Sequence, residues 1–219
     1  MDIVTESLVK VLFVAFLAVT NIVGVRAAGK VNDALTLLKL APLVFFVIAG
    51  LSWIIISPNV ALANFSPFAP FGFAGFGSAI VLIFWAYAGF EISTIPADDV
   101  EEPSKTIPKA VIIGILVVTV FYLTTNVILF GVRNYSQLAT DTAPLAAASN
   151  GILSSNVALA LFGGLLVGVG ALISVAGSDE SGMIGTSRLG YALAADGLFP
   201  KLFAKVHAKF KTPYASIII

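Results

Sequence analysis

The stretch IFWAYAGFEISTIP, residues 83–96, decides how the chain is read. It is apolar enough for a bilayer, yet it sets two neighbouring aromatics, Phe84 and Trp85, then Gly89 and an uncompensated Glu91, ahead of Pro96. The apolar run that contains it, Ser78–Ile95, is 18 residues long. As unbroken helix that is about 27 Å, which only just crosses a hydrocarbon core. Gly89 accepts non-helical torsions and Ala88 beside it adds little bulk, so a break near 88–89 is one reading. Unwound backbone at membrane depth is tolerated where it lines a cavity, and in secondary transporters that cavity holds the substrate. The other reading is a continuous helix in which Gly89 allows a neighbour to approach closely. Glu91 carries the same ambiguity. An ionisable side chain in a span costs about 2.5–3.5 kcal/mol on insertion scales and usually faces a pathway, but four residues from the loop it can also reach the interface.

Outward from this stretch the chain has the composition of a polytopic membrane protein. Of its 219 residues 58% are hydrophobic and 11% charged, and the mean hydropathy is +1.02. Five apolar runs approach the length of a span: 8–25, 34–56, 78–95, 107–132 and 157–183. A sixth, 214–219, stops inside its own apolar residues, so the chain is expected to be one transmembrane domain, 1–219, cut from a larger protein. Arg26 and Lys30 follow the first run, Lys105 and Lys109 the third, and Arg188, Lys201, Lys205, Lys209 and Lys211 the fifth. Positive loops stay cytoplasmic, which puts loops 26–33, 96–106 and 186–212 inside and the N-terminus of the piece outside. The loop 57–77, rich in Phe, Pro and Gly, carries no charge and no functional assignment.

Further polar residues sit inside the runs. Lys39 lies five residues into the second run, about 7–8 Å deep, where its stem can snorkel out or its amine can act as a buried proton carrier. In the fifth run Gly164 and Gly168 have the four-residue spacing of close helix contacts. Ser174, Ser178 and Ser181 share one helical face and suit either a cation or bonds back to their own helix. Asp179 and Glu180 fall about 33–35 Å from Val157, at a solvated helix end if the start is right.

Four stretches now carry a resemblance: GVRAAGKVNDALTLLKL (24–40), FWAYAGFE (84–91), EEPSKTIPKAVIIG (101–114) and TSRLGYALAADGLFPKLFAKV (186–206). With them the chain resembles the middle of an amino acid permease of the amino acid–polyamine–organocation superfamily. The resemblance implies an all-α, leucine-transporter-like fold of two inverted five-helix repeats, with the six segments as helices four to nine. It implies that 78–95 is the broken sixth helix, with Trp85 as the aromatic lid and the backbone of Ala86, Tyr87, Ala88 and Gly89 as receptor for the substrate amino group. Lys39 matches the lysine that stands in for a bound cation in proton-coupled members, and Ser178 and Ser181 are its candidate hydrogen-bond partners. Glu91 matches a gating position. Asp179 and Glu180 depart from the family pattern of small, apolar or amide residues, which leaves open substrate charge, a proton path or a helix cap. The helices that would complete the site are absent from the piece, which is expected to insert but not to transport alone.

The implied function is secondary transport of amino acids by alternating access, with the proton as coupling ion or by exchange, and no further cofactor. A sensor on the same fold would bind without moving its ligand. Catalysis has little to work with: His207 is the sole histidine, and there is no Gly-x-Ser-x-Gly. Zero net charge argues against nucleic acid, and the lack of Cys against disulfides and thiolate metal sites.

Overall fold

The computed structural model describes residues 3–95, 97 and 100–219; Pro96, Asp98 and Asp99, within the expected loop 96–106, lie outside the described residues, as do Met1 and Asp2. Every regular element among the described residues is helical: α1 (Ile3–Val23), α2 (Val25–Ile56), α3 (Pro58–Asn64), α4 (Phe76–Ala86), α5 (Pro103–Val132), α6 (Tyr135–Thr140), α7 (Pro144–Ile152), α8 (Val157–Ala195) and α9 (Tyr214–Ile218), with single 3₁₀ turns at Phe90–Thr94 and Lys201–Ala204. Three helical stretches are long and apolar enough to cross a membrane, Arg26–Ile56, Pro103–Val132 and Val157–Ala195; Ser7–Val23 and Phe76–Ile92 are shorter apolar ones.

Two expected loops are corrected in part. Residues 26–33 are helical, because Gly24 with φ +142° makes the whole turn between α1 and α2 and its carbonyl takes the Ala27 and Ala28 amides of the next helix. Residues 186–195 are helical too, since the run TSRLGYALAA contains strong helix formers and no Pro. That helix stops where Gly197 turns left-handed at φ +77°. The Leu198 amide bonds the Leu193 carbonyl and the Gly197 amide bonds Ala194, which satisfies the last carbonyls. Between α5 and α7 the chain restarts at Asn134, whose side chain and that of Gln137 cap each other's amides, while Arg133 holds Asp141 through two contacts of 2.7 and 3.1 Å.

The chain forms two compact units. One comprises Leu37–Ala88 and Ile112–Ser174. Its core is Phe46, Ile128, Ala148 and Val167, ringed by Val47, Ile54, Leu129 and Val132. In lipid no hydrophobic drive brings such faces together, so close packing must do it, and small residues allow the approach. Gly50 faces Ile128, Gly131 faces Ile54 and Gly164 faces Asn150. At Gly170 a Cβ would stand 2.6 and 2.7 Å from Pro42 atoms, whereas Gly168 looks into open space. Gly170→Val is therefore expected to cost about 1–3 kcal/mol through overpacking. Gly168→Ala should be neutral or gain up to about 1 kcal/mol of helix propensity. Thermal unfolding in detergent checks both, and equal midpoints for the two variants would remove the Pro42 contact as a determinant of packing.

The other unit comprises Met1–Thr36, Gly89–Val111 and Val175–Ile219. Leu17, Ala28, Ala176 and Ala194 are buried in it, and so are the polar residues Asn21, Glu180, Ser187 and Thr212. Thr212 donates its hydroxyl to the Ile22 carbonyl at 2.7 Å, Ser216 donates to Phe203, and Gly185 of α8 meets Ile92 of the 3₁₀ turn.

Candidate functional site

The site begins where α4 ends. Gly89 holds φ +109°, ψ −14°, a conformation that a side chain strongly disfavours, and the helix cannot pass through it. α4 therefore closes at Ala86 with two tight turns, in which the Tyr87 and Ala88 amides bond the Phe84 and Trp85 carbonyls. Tyr87 and Tyr122 lie edge to face at 5.4 Å. The Tyr122 hydroxyl donates to the Ala86 carbonyl at 3.2 Å, and the Tyr87 hydroxyl donates to Thr119 at 3.0 Å. Two tyrosines thus fix the broken end against α5. Trp85 is 79% exposed, and Ala86 and Ala88 are exposed as well.

Beyond the break the chain continues as a 3₁₀ turn, and Glu91 has a local task. Its Oε2 accepts the Gly89 amide at 2.9 Å, so the carboxylate satisfies a donor freed by the interruption and adds negative charge at a helical N-terminus. Its own carbonyl accepts the Thr94 hydroxyl at 2.7 Å. Glu91 remains exposed, and it is placed to hold the turn closed or, on leaving it, to release that amide.

Lys39 is half-buried on α2, three residues before the helix-interior Pro42. Of the serines on α8, Ser174 and Ser181 are half-buried and Ser178 is exposed. Ser181 donates its hydroxyl to Asn32 Oδ1 of α2 at 2.9 Å.

Asp179 and Glu180 separate sharply. The former is exposed, while the latter is entirely buried. Neither stands at a helix end, because α8 continues to Ala195, fifteen residues past Glu180; the helix-cap reading is thereby corrected. Glu180 Oε1 accepts the Asn21 amide of α1 at 3.0 Å and the Thr20 hydroxyl at 3.4 Å. Asn21 is itself 2% exposed and also donates to the Leu17 carbonyl at 3.0 Å. The sequence reading missed Asn21, Tyr122 and Asn32. The signal for Asn21 was an amide inside an otherwise apolar run, a residue type that seeks a partner across helices. Among the described residues no group of three or more His, Cys, Asp or Glu could hold a metal ion.

The chain is 32% identical over 203 residues to a methylthioribose transporter of Bacillus subtilis, covering 92% of this chain and 41% of that protein. It is 30% identical over 206 residues to a branched-chain amino acid permease of the same organism, covering 93% and 42%. With a serine/threonine exchanger, again of Bacillus subtilis, it shares 25% over 219 residues, covering 97% and 47%. The chain thus spans less than half the length of these relatives, all of which are named as transporters, permeases or exchangers rather than enzymes. Residues 2–219 match the amino acid permease family. A helical, multi-pass apolar chain that matches this family over nearly its whole length belongs to the amino acid permeases.

Proposed function

We propose that the protein carries amino acids across the membrane as a secondary transporter, on a leucine-transporter-like inverted-repeat fold completed by helices outside this chain. The observation that carries this reading is the interrupted end of α4, where Gly89 stops the helix and leaves Trp85, Ala86 and Ala88 exposed and Tyr87 and Gly89 half-buried at its terminus. The C-terminal end of a helix presents carbonyls and partial negative charge, which suits the ammonium of an amino acid. Trp85, a flat apolar surface one turn before the break, closes over the bound substrate. The relatives are named for methylthioribose, branched-chain amino acids and serine or threonine, so the amino acid class is inferred from the family as a whole.

Coupling to the proton is part of the same reading. Lys39 is the carrier, and Glu91 gates by holding or releasing the Gly89 amide. In this reading 26–33, 96–106 and 186–212 face the cytoplasm and the N-terminus of the chain lies outside, which the clustering of Lys and Arg in those segments supports.

Trp85→Ala tests the lid. Losing an aromatic surface from one face of a bound ligand costs about 1–3 kcal/mol, or about 5- to 150-fold in affinity. The expected result in proteoliposomes is a raised half-saturation concentration for labelled amino acids with the protein still inserted. Unchanged uptake would discard the lid assignment.

A further inference from the structure

Glu180 has a hydrogen-bond imbalance that the reading above leaves unused. Its Oε1 receives two donors, Asn21 Nδ2 and Thr20 Oγ1, but its Oε2 is sealed from solvent and receives none. Asn21 Oδ1, in the same buried pair, also has no donor. Two acceptor atoms are thus buried bare in one small cluster between α1 and α8, within a single compact unit. Both partners of the carboxyl are neutral. Among the described charged residues of the surrounding elements, Lys10 on α1, Arg26, Lys30 and Asp33 on α2, Asp179 on α8 and Asp196, Lys201, Lys205, Lys209 and Lys211 in the final loop are exposed, and the half-buried His207 accepts the Lys209 and Phe210 amides at its Nδ1. Arg188, two turns along α8, donates a guanidinium N–H to the Ile184 carbonyl. The ion pairs of Lys105 with Glu102 and of Arg133 with Asp141 do not involve Glu180.

An ionised carboxylate left this way would be a buried charge without a counter-ion, with half its acceptor positions empty, an arrangement proteins avoid. A water or metal ion on Oε2 would need room, and that oxygen has no accessible surface for one. A proton needs no room. Placed on Oε2 it cancels the charge and turns a bare acceptor into a donor, with Asn21 Oδ1 as an unfilled acceptor in the same pair.

We propose that Glu180, with Asn21 as its positioning partner, is a proton-binding site buried between α1 and α8, separate from Lys39 and from the broken end of α4. This rests on the transport reading and adds to it a second group on the path of the one coupled proton, so that losing either Lys39 or Glu180 uncouples transport. The step is one proton moving on or off Oε2, balanced by uptake from or release to the aqueous phase when the cycle brings the cluster into contact with it.

Infrared difference spectroscopy on the intact permease in lipid tests the site directly. The parent protein should show the C=O stretch of a protonated carboxylic acid that is absent in Glu180→Gln and shifted in Asn21→Ala, where the carboxyl stays but its partner is gone. A spectrum without such a band, or one insensitive to both substitutions, overturns the proposal, and Asn21→Ala keeps the test open should the Gln variant fail to fold. Transport supplies the second arm. A gradient of about one pH unit supports about tenfold accumulation when one proton moves with each substrate. In Glu180→Gln that ratio should fall to about one, the limit with no proton coupled, while substrate-for-substrate exchange persists. Retained gradient-driven accumulation in the variant refutes the site. Absence of exchange in the parent would instead refute the transport reading, so the two failures are distinct.

Discussion

Gly89→Val is expected to cut amino acid uptake in proteoliposomes by about 5- to 150-fold, the range that corresponds to a backbone penalty of about 1–3 kcal/mol. The reason is purely conformational. A Cβ on Gly89 would meet nothing within 4 Å, so there is no clash to relieve, but φ +109° is a torsion that a β-branched residue does not hold. The variant must move the interruption or continue α4 past Ala86. Either change takes the carbonyls of 86–89 away from the end of the helix, and the Glu91 carboxylate loses the Gly89 amide it accepts at 2.9 Å. Gly197, with φ +77° and equally open surroundings, provides the control. Gly197→Val carries a comparable strain at the end of α8, so it should lower thermal stability without a selective loss of uptake. If Gly89→Val transports like the parent, the break is not where the substrate binds.

Lys39→Ala is expected to abolish the response of transport to an imposed pH gradient. Lys39 is half-buried on α2 and is the proton carrier of the proposed cycle. Alanine removes the carrier and leaves α2 intact, since alanine has the highest helix propensity. Accumulation driven by about one pH unit should drop from about tenfold to about one. The insertion and the thermal midpoint should change little. Accumulation that survives the substitution would reject the role, and the infrared band of Glu180 would then identify the remaining proton site.

These outcomes depend on features that differ in how far they could be read in the sequence. A break at Gly89 was one of two readings that the local facts allowed, a permissive residue and a span barely long enough to cross, and only the family resemblance favoured it over a continuous helix. Helix limits were not legible, because hydropathy marks the apolar stretch and says nothing of the polar turns that continue it. Residues 26–33 and 186–195 are rich in Ala, Leu and charged helix formers, so they extend α2 and α8 although their charges had marked them as loops. The same error placed Asp179 and Glu180 at a helix end. Which of these two adjacent carboxylates turns inward depends on a rotation of about 100° between successive residues and on a partner 159 residues earlier, and no local pattern encodes that. Glu91 was visible as an anomaly, but its bond to the Gly89 amide exists only because the helix has already stopped. Tyr122 gave no signal at all, since a tyrosine in an apolar run looks like any other core aromatic until Ala86 is placed against it.

The bond from Thr212 to the Ile22 carbonyl joins residues 190 positions apart, and the Asn21–Glu180 pair joins residues 159 apart. The unit they belong to is assembled from three separate stretches, the last of which begins at Val175. During synthesis the chain emerges at about 5–20 residues per second, so Asn21 enters the bilayer on the order of ten seconds or more before Glu180 is made. The unit built from Leu37–Ala88 and Ile112–Ser174 has all its residues earlier and can close first. Through that interval the Asn21 amide on α1 has only the Leu17 carbonyl of its own helix for a partner, a state that invites wrong pairings with other helices or retention by the insertion machinery. The late arrival of α8 then does more than complete a packing face: it ends the window in which the nascent protein is open to misassembly, and a stalled or shortened product would remain in it.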